Sequence, residues 1–377
     1  MFSLYVHVPF CAQVCAYCDF PVLRGSERLH VRYVELVLRE LEIRHNQALL
    51  GRVAQTVYLG GGTPTELSVS NLQVLLRGID ATGILAPNLL EYTVECNPET
   101  ALPDRLDMLA KYGVGRWSLG VQSFRDDILT RIGRKGRAQE SRQAIRNLSQ
   151  MPGRLSCDLM FDLPGQTVPD FLEDLEEVKA SAGHVSFYGL AVEPRTLLGQ
   201  QVSRGIVSVE DDAYADFYRQ GVASLALDGV YRYEVSNFAR IGEEGIHNRN
   251  YWERGEYLGV GPGAHSFYDG VRWSAPRAFA RWAEWVEAGC PIAGMEQDPV
   301  LGESIAMEHV WLSLRQSVGL PLLSLWEYGI SPAKLEKAIQ PYIAQGWLVK
   351  SADQLRLSGD GWVFMDRVVR SILEQIF

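Results

Sequence analysis

A chain of 377 residues exceeds one ordinary domain, so one large domain with a smaller companion is the expected organisation. Hydrophobic residues at 47 % and charged ones at 22 % give the composition of a folded globular protein, which excludes disorder as its main state. A net charge of −10 excludes the broad basic footprint that nucleic-acid binding demands, so no nucleic-acid partner is expected.

The chain opens Met1-Phe2-Ser3-Leu4-Tyr5, without a basic start or a signal-like apolar core. No later apolar run reaches the roughly 18–20 residues of a spanning helix, so the cytoplasm is the expected compartment. Short apolar runs predict strands over Ser3–Pro9, Thr56–Leu59, Glu91–Cys96, Arg116–Val121, Leu155–Phe161 and His184–Ala191. Amphipathic stretches alternate with them. Val34, Val37, Leu38 and Leu41 mark one apolar helix face, and further helices are predicted over Ser70–Ile79, Asp104–Lys111, Gln139–Leu148, Asp170–Lys179 and Asp211–Leu227. Six strand–helix units imply a parallel sheet, open or closed. A full eight-stranded barrel uses about 250 residues. These units end sooner, which predicts an incomplete (β/α)6 TIM-like barrel.

The barrel domain is expected to span residues 1–290 and a mostly helical domain residues 291–377. In the latter a helix over Leu301–Leu314 precedes Gly319-Leu320-Pro321, and Ser331-Pro332 opens another as N-cap and first helical residue. Strands Trp347–Lys350 and Leu355–Leu357 and a last amphipathic helix to Phe377 follow. This order fits a winged-helix-like module, and it equally fits a helical cap on the barrel.

Cys11, Cys15 and Cys18 fall on one short segment, whereas Cys96, Cys157 and Cys290 stand alone. Six cysteines in so long a chain do not make a disulfide framework. A zinc site would want a second pair of ligands, which the sequence does not offer nearby. Three thiolates can instead hold three irons of a [4Fe-4S] cluster and leave the fourth open to a ligand. The spacing C-x3-C-x-Tyr-C resembles the signature of the radical S-adenosylmethionine (SAM) superfamily. By that resemblance the methionine part of SAM chelates the open iron, and the reduced cluster cleaves SAM to a 5′-deoxyadenosyl radical. The cofactor then carries the hard chemistry, and the protein binds and orients it.

Gly60-Gly61-Gly62-Thr63-Pro64 follows the second strand, where glycines let backbone approach a ligand closely. Tyr5-Val-His-Val-Pro-Phe, Tyr92-Thr-Val-Glu-Cys-Asn-Pro, Gly120-Val-Gln-Ser-Phe and Asp158-Leu-Met-Phe-Asp-Leu-Pro-Gly-Gln-Thr resemble the oxygen-independent coproporphyrinogen oxidase-like branch of that superfamily. The resemblance implies a SAM pocket lined by Tyr5, Tyr17, Gly61, Gly62, Thr63, Glu95, Gln122, Arg134, Asp158, Ala191 and His265. Tyr17 would pack on adenine, carboxylates would take ribose hydroxyls or the ammonium, and Arg134 would pair with the SAM carboxylate. Two departures stand out: Gly136 where the branch often has His, and Asp162 where it usually has Gly.

Oxidases of the branch carry a fourth cysteine two residues after the third, where this chain has Phe20. That difference, with His247-Asn-Arg-Asn-Tyr251-Trp252, resembles the HemW type, a family of haem chaperones. The resemblance implies haem as a further cofactor, held through His247 beside Tyr251 and Trp252. It also implies haem-accepting apoproteins, an electron donor to the cluster, and membrane contact only through an acceptor. Two other readings remain open: coproporphyrinogen III decarboxylation by the adenosyl radical, and a non-catalytic iron–sulfur protein. The remaining histidines, His7, His30, His45, His184 and His309, read as structural, and Cys96 and Cys157 as buried small hydrophobes.

Overall fold

A computed structural model of the chain describes residues 1–48, 51–207 and 213–377. Six strands lie side by side in chain order and all parallel. They are β1 (Phe2–Val8), β2 (Thr56–Gly61), β3 (Glu91–Cys96), β4 (Arg116–Gln122), β5 (Arg154–Phe161) and β6 (His184–Gly189). Each matches an expected strand closely, except that β6 stops at Gly189 and leaves Ala191 in the loop beyond. Helices Glu27–Ala48, Val69–Ala81, Pro103–Lys111, Ala138–Leu148 and Val168–Lys179 return the chain between them. Ser68 and Thr167 cap two of these helices by accepting from Asn71 N and Asp170 N. The helix expected from Asp211 is described from Tyr214 to Leu227; its first two expected residues lie outside the described residues.

The sheet continues past both edges of the expected barrel. Among the described residues it has twelve strands. Beyond β6 come β7 (Tyr231–Arg232) and β8 (Asn237–Ala239), with β8 antiparallel to β6. On the other side β9 (Glu256–Val260) pairs parallel to β1. It is followed by the antiparallel β10 (His265–Tyr268), β11 (Val271–Ser274) and β12 (Glu296–Pro299). Strand β12 lies on the C-terminal side of Cys290 yet pairs within the large sheet.

The C-terminal part is mostly helical. Helices Glu303–Ser313, Leu322–Glu327, Pro332–Ala344 and Met365–Ile376 pack with a small sheet of β13 (Leu320–Pro321), β14 (Leu348–Lys350) and β15 (Gln354–Leu357). Ser331 caps the third helix, as expected, by accepting from Lys334 N. This part is tied to the helix Tyr214–Leu227 by the bidentate pair Arg219–Asp360 and to the segment after β7 by Ser317 N donating to Tyr233 O at 2.9 Å. Arg232 adds its guanidinium, stacked 3.9 Å from the Trp362 ring.

Alternation along the strands sorts side chains to two faces. Leu4, Val6, Val57, Leu59, Val94, Leu119, Cys157 and Val185 go to one, completely or almost completely buried. Ser3, Tyr5, Thr56, Tyr58, Glu95, Ser118, Ser156 and Asp158 go to the other, so the concave side of the sheet is polar.

Candidate functional site

The three cysteines follow the C-terminal end of β1, on a loop held from several sides. Cys11 N donates to Leu23 O at 3.1 Å and Ala16 N to Ile132 O at 3.0 Å. Leu198 N donates to Ala16 O at 2.8 Å, and Gln13 Nε2 to Gly133 O at 2.7 Å. Burial, with Cys18 and Cys15 close enough to add their own charges, pushes the Cys11 thiol up to about 12. Cys18 is raised by burial and by Cys15 in the same way. Cys11 and Cys18, which resist ionising alone, share this short loop with Cys15, and a cationic centre bound by all three as thiolates would neutralise them. The donor set therefore suits an iron–sulfur cluster.

A second layer stands behind the loop. Thr63 Oγ1 lies 3.8 Å from Cys11 Sγ and accepts from Asn97 Nδ2 at 2.7 Å. Asn97 Oδ1 accepts from Arg134 Nη2 at 2.8 Å, and the same nitrogen donates to Gly120 O. Arg134 is charged at all ordinary pH, and Tyr17 and Cys15 stand beside it. His7 Nε2 donates to Pro21 O at 3.2 Å, and its Nδ1 accepts from Tyr5 OH at 2.9 Å. This histidine, read as structural from sequence, thus joins Tyr5 to the cluster loop.

The glycine run does what its position after β2 predicts. Gly61 sits at φ +102° and donates its N–H to Glu95 Oε2 at 2.9 Å. A Cβ on Gly62 would lie 2.7 Å from Val8 O and Phe10 O, so only glycine fits there. Glu95 also accepts from Tyr58 OH at 2.8 Å. Burial, with Asp158 adding to it, pushes the Glu95 carboxyl up to about 7 against these bonds and Arg116. Asp158, raised by burial too, accepts from Ser118 Oγ at 2.7 Å. Two half-buried acids, one close enough to raise the other, suit a cationic ligand such as the SAM ammonium.

The sign of the Glu95 shift sets a pH dependence. A carboxyl raised in the fold favours folding while protonated, and that contribution is lost as pH climbs through about 7. A cation needs the ionised form. SAM affinity should therefore rise with pH through neutrality and then level off. Glu95→Gln should bind about tenfold more weakly or worse and lose the dependence, which calorimetric titration on either side of pH 7 will check.

Gln122, at φ +68°, follows a register shift in the β4–β5 pairing, and a Cβ on Gly120 would lie 3.1 Å from its Nε2 and 3.4 Å from Arg134 Nη2. Ala191 is exposed beyond β6, and His265 is exposed at the start of β10, both at the cluster end of the sheet. Asp162, where glycine was expected, has φ +61°; aspartate is one of the few residues that tolerates this region. Gly136 neighbours Glu99 Oε2, and the clamps from Ile132 and Gly133 to the cysteine loop stand without a histidine there.

His247, expected from the resemblance to hold haem, lies away from this site. Its helix, Ile246–Trp252, closes the opposite end of the sheet. There the His247 ring lies against Thr56 and Tyr58, and Glu91 accepts from Ile246 N and His247 N at 2.9 and 3.0 Å. Thr56 and Glu91 are the first residues of β2 and β3, roughly 20 Å from the cluster end by strand rise. The ring is 1 % exposed and both its nitrogens are engaged. Nδ1 meets Thr56 Oγ1 at 2.9 Å and Nε2 meets Tyr251 OH at 2.7 Å. Burial and Arg116 push its pKa down to about 3.

Sequence reasoning passed over Asn97, Tyr58, Arg116 and Ser118. The alternation in β2, β3 and β4 could have found the last three, because each shares a face with Glu95 or Tyr5.

Residues 5–178 match the family model of the radical SAM superfamily. The chain is 34 % identical over 388 residues to "Heme chaperone HemW" of Escherichia coli, covering 99 % of this chain and 98 % of that protein. It is 36 % identical to the HemW of a Synechocystis species, covering 84 % and 79 %. With the bovine protein "Radical S-adenosyl methionine domain-containing protein 1, mitochondrial", identity is 34 %, covering 99 % and 88 %. Among solved structures, coproporphyrinogen III oxidase of Escherichia coli superposes with a TM-score of 0.85 at 19 % identity, over 98 % of this chain and 89 % of that one. At that identity the likeness speaks for the fold.

Proposed function

Because the chain belongs to the radical SAM superfamily, within its HemW family, we propose that it is a haem chaperone that binds haem beside a SAM-liganded [4Fe-4S] cluster and delivers it to acceptor apoproteins. The observation that carries the cluster part is the clamped loop that carries Cys11, Cys15 and Cys18 just beyond the C-terminal end of β1, beside the polar face of the sheet. Each cysteine takes one iron. Glu95, with Gly61 and Gly62, receives the SAM ammonium, and Arg134 its carboxylate, while Tyr17 covers adenine and Asp158 takes a ribose hydroxyl. Tyr5, Thr63, Gln122, Ala191 and His265 complete the wall. When bound, the cluster supplies one-electron reducing power next to SAM. His7 and Asn97 orient the loop and the arginine that face it.

The expected place of work is the cytoplasm. Among the described residues no helix is long and apolar enough to cross a membrane, and contact with one would come through the acceptor. An electron donor to the cluster completes the partners. The test is anaerobic. Reconstituted protein should bind haem with a new Soret band and, given coproporphyrinogen III, SAM and a reductant, should form no protoporphyrinogen. Robust protoporphyrinogen formation would make the oxidase reading correct instead.

A further inference from the structure

The face around the cysteine loop carries apolar surface that the fold does not use. Phe20, two residues after Cys18, is 67 % exposed, and Leu197 is 58 % exposed. The bond from Leu198 N to Ala16 O places the segment of Leu197 against the loop. Soluble proteins rarely leave large side chains uncovered beside a reactive centre without a ligand to cover them.

Charge marks the same face. Asp19, next to Phe20, is held by Arg195 at 2.7 Å and by Arg277, which also donates to Asp19 O. The segments 11–28, 131–137, 193–204 and 277–281 hold ten basic residues against three acidic ones, in a chain whose net charge is −10. An apolar platform with a cationic border inside an acidic protein suits a flat, apolar dianion. It is also accessible, whereas His247 is sealed in the far end of the sheet.

Resting on the chaperone reading above, we propose that haem docks on this face, its macrocycle on Phe20 and Leu197 and its two propionates toward Arg195 and Arg277. The platform reads the ring and its carboxylates, so binding does not need the iron. A protein partner is the competing occupant. Its apolar side chains would cover Phe20 equally well, but Arg195 and Arg277 share the single carboxylate of Asp19, and the positive charge left over beside the platform favours a ligand that brings carboxylates of its own.

The anaerobically reconstituted full chain is titrated with haem and with iron-free protoporphyrin IX, and iron and sulfide are counted in every variant. Phe20→Ser and, away from the cysteine segment, Leu197→Ser should each weaken both porphyrins about tenfold, with cluster content unchanged. Protoporphyrin dimethyl ester should bind wild type more weakly than the free acid. If wild type binds no porphyrin, the chaperone reading itself fails. If wild type binds and both variants match it, the docking face is wrong and the chaperone reading stands. Variants that bind porphyrin normally but lose affinity for an acceptor apoprotein would assign the face to protein contact and overturn the proposal.

Discussion

Cys15→Ser should leave the anaerobically purified protein without iron, without acid-labile sulfide and without measurable SAM affinity, while its far-ultraviolet circular dichroism stays that of wild type. The loop is held through backbone groups of Cys11, Ala16 and Leu23 and the Gln13 side chain, none of which a serine at position 15 disturbs. Serine keeps the size and loses the thiolate that iron requires. No other thiol can replace it: Cys96, Cys157 and Cys290 are 2 %, 0 % and 5 % exposed and lie in other elements. Stability of the metal-free fold should shift by no more than about 0.5 kcal/mol, as for a substitution outside the core. A variant that keeps its iron and its SAM affinity would show that the cluster sits elsewhere or nowhere.

His247→Ala should act at the other end, through stability. Removing the ring leaves Thr56 and Tyr251 without their partner and opens a cavity under Tyr58, whose ring centre lies 5.3 Å from that of His247. Together these cost about 3–5 kcal/mol, a large share of the margin of a typical domain. Tyr58 also donates to Glu95, so SAM affinity should fall with stability. His247→Gln separates support from ligation. Glutamine restores part of the hydrogen bonding and cannot serve as an imidazole ligand, so this variant should regain stability and bind haem as wild type does. If a folded, SAM-competent His247→Gln protein lost its Soret band, the ring would be a haem ligand that leaves its buried place.

Much of the barrel was legible because its strands are apolar runs of ordinary length and the cysteine spacing is specific. Thr56, Glu91 and His184, which the alternation reads as strand residues, all sit where expected. The additional strands were not legible for physical reasons. β7 and β8 have two and three residues, too few for a period to show, and β12 reads Glu-Gln-Asp-Pro, a loop composition. β12 is a strand only because β11 offers an edge for it to pair with. For the site, residue types were readable and their level in the barrel was not. His247 shows this plainly: it follows β8 and precedes β9, and nothing in its motif tells whether the helix closes the top or the floor. Asp162 shows a signal that went unread: the departure from a usual glycine stood out in the sequence, and its left-handed backbone became plain only in the structure.

The central place of β1 has a consequence for biogenesis. Its two neighbours are β2 and β9, which lie about 50 and about 250 residues downstream. During synthesis from the N-terminus one flank of the first strand stays unpaired until most of the polypeptide has left the ribosome. The loop of cysteines just after it gains clamps from Ile132 and Leu198 before that flank closes, and its contact from Arg277 to Asp19 only afterwards. Metal loading is thus an act on a nearly finished molecule, and a ribosome stalled before residue 256 would display a nascent chain with an open sheet and thiols exposed to oxidation.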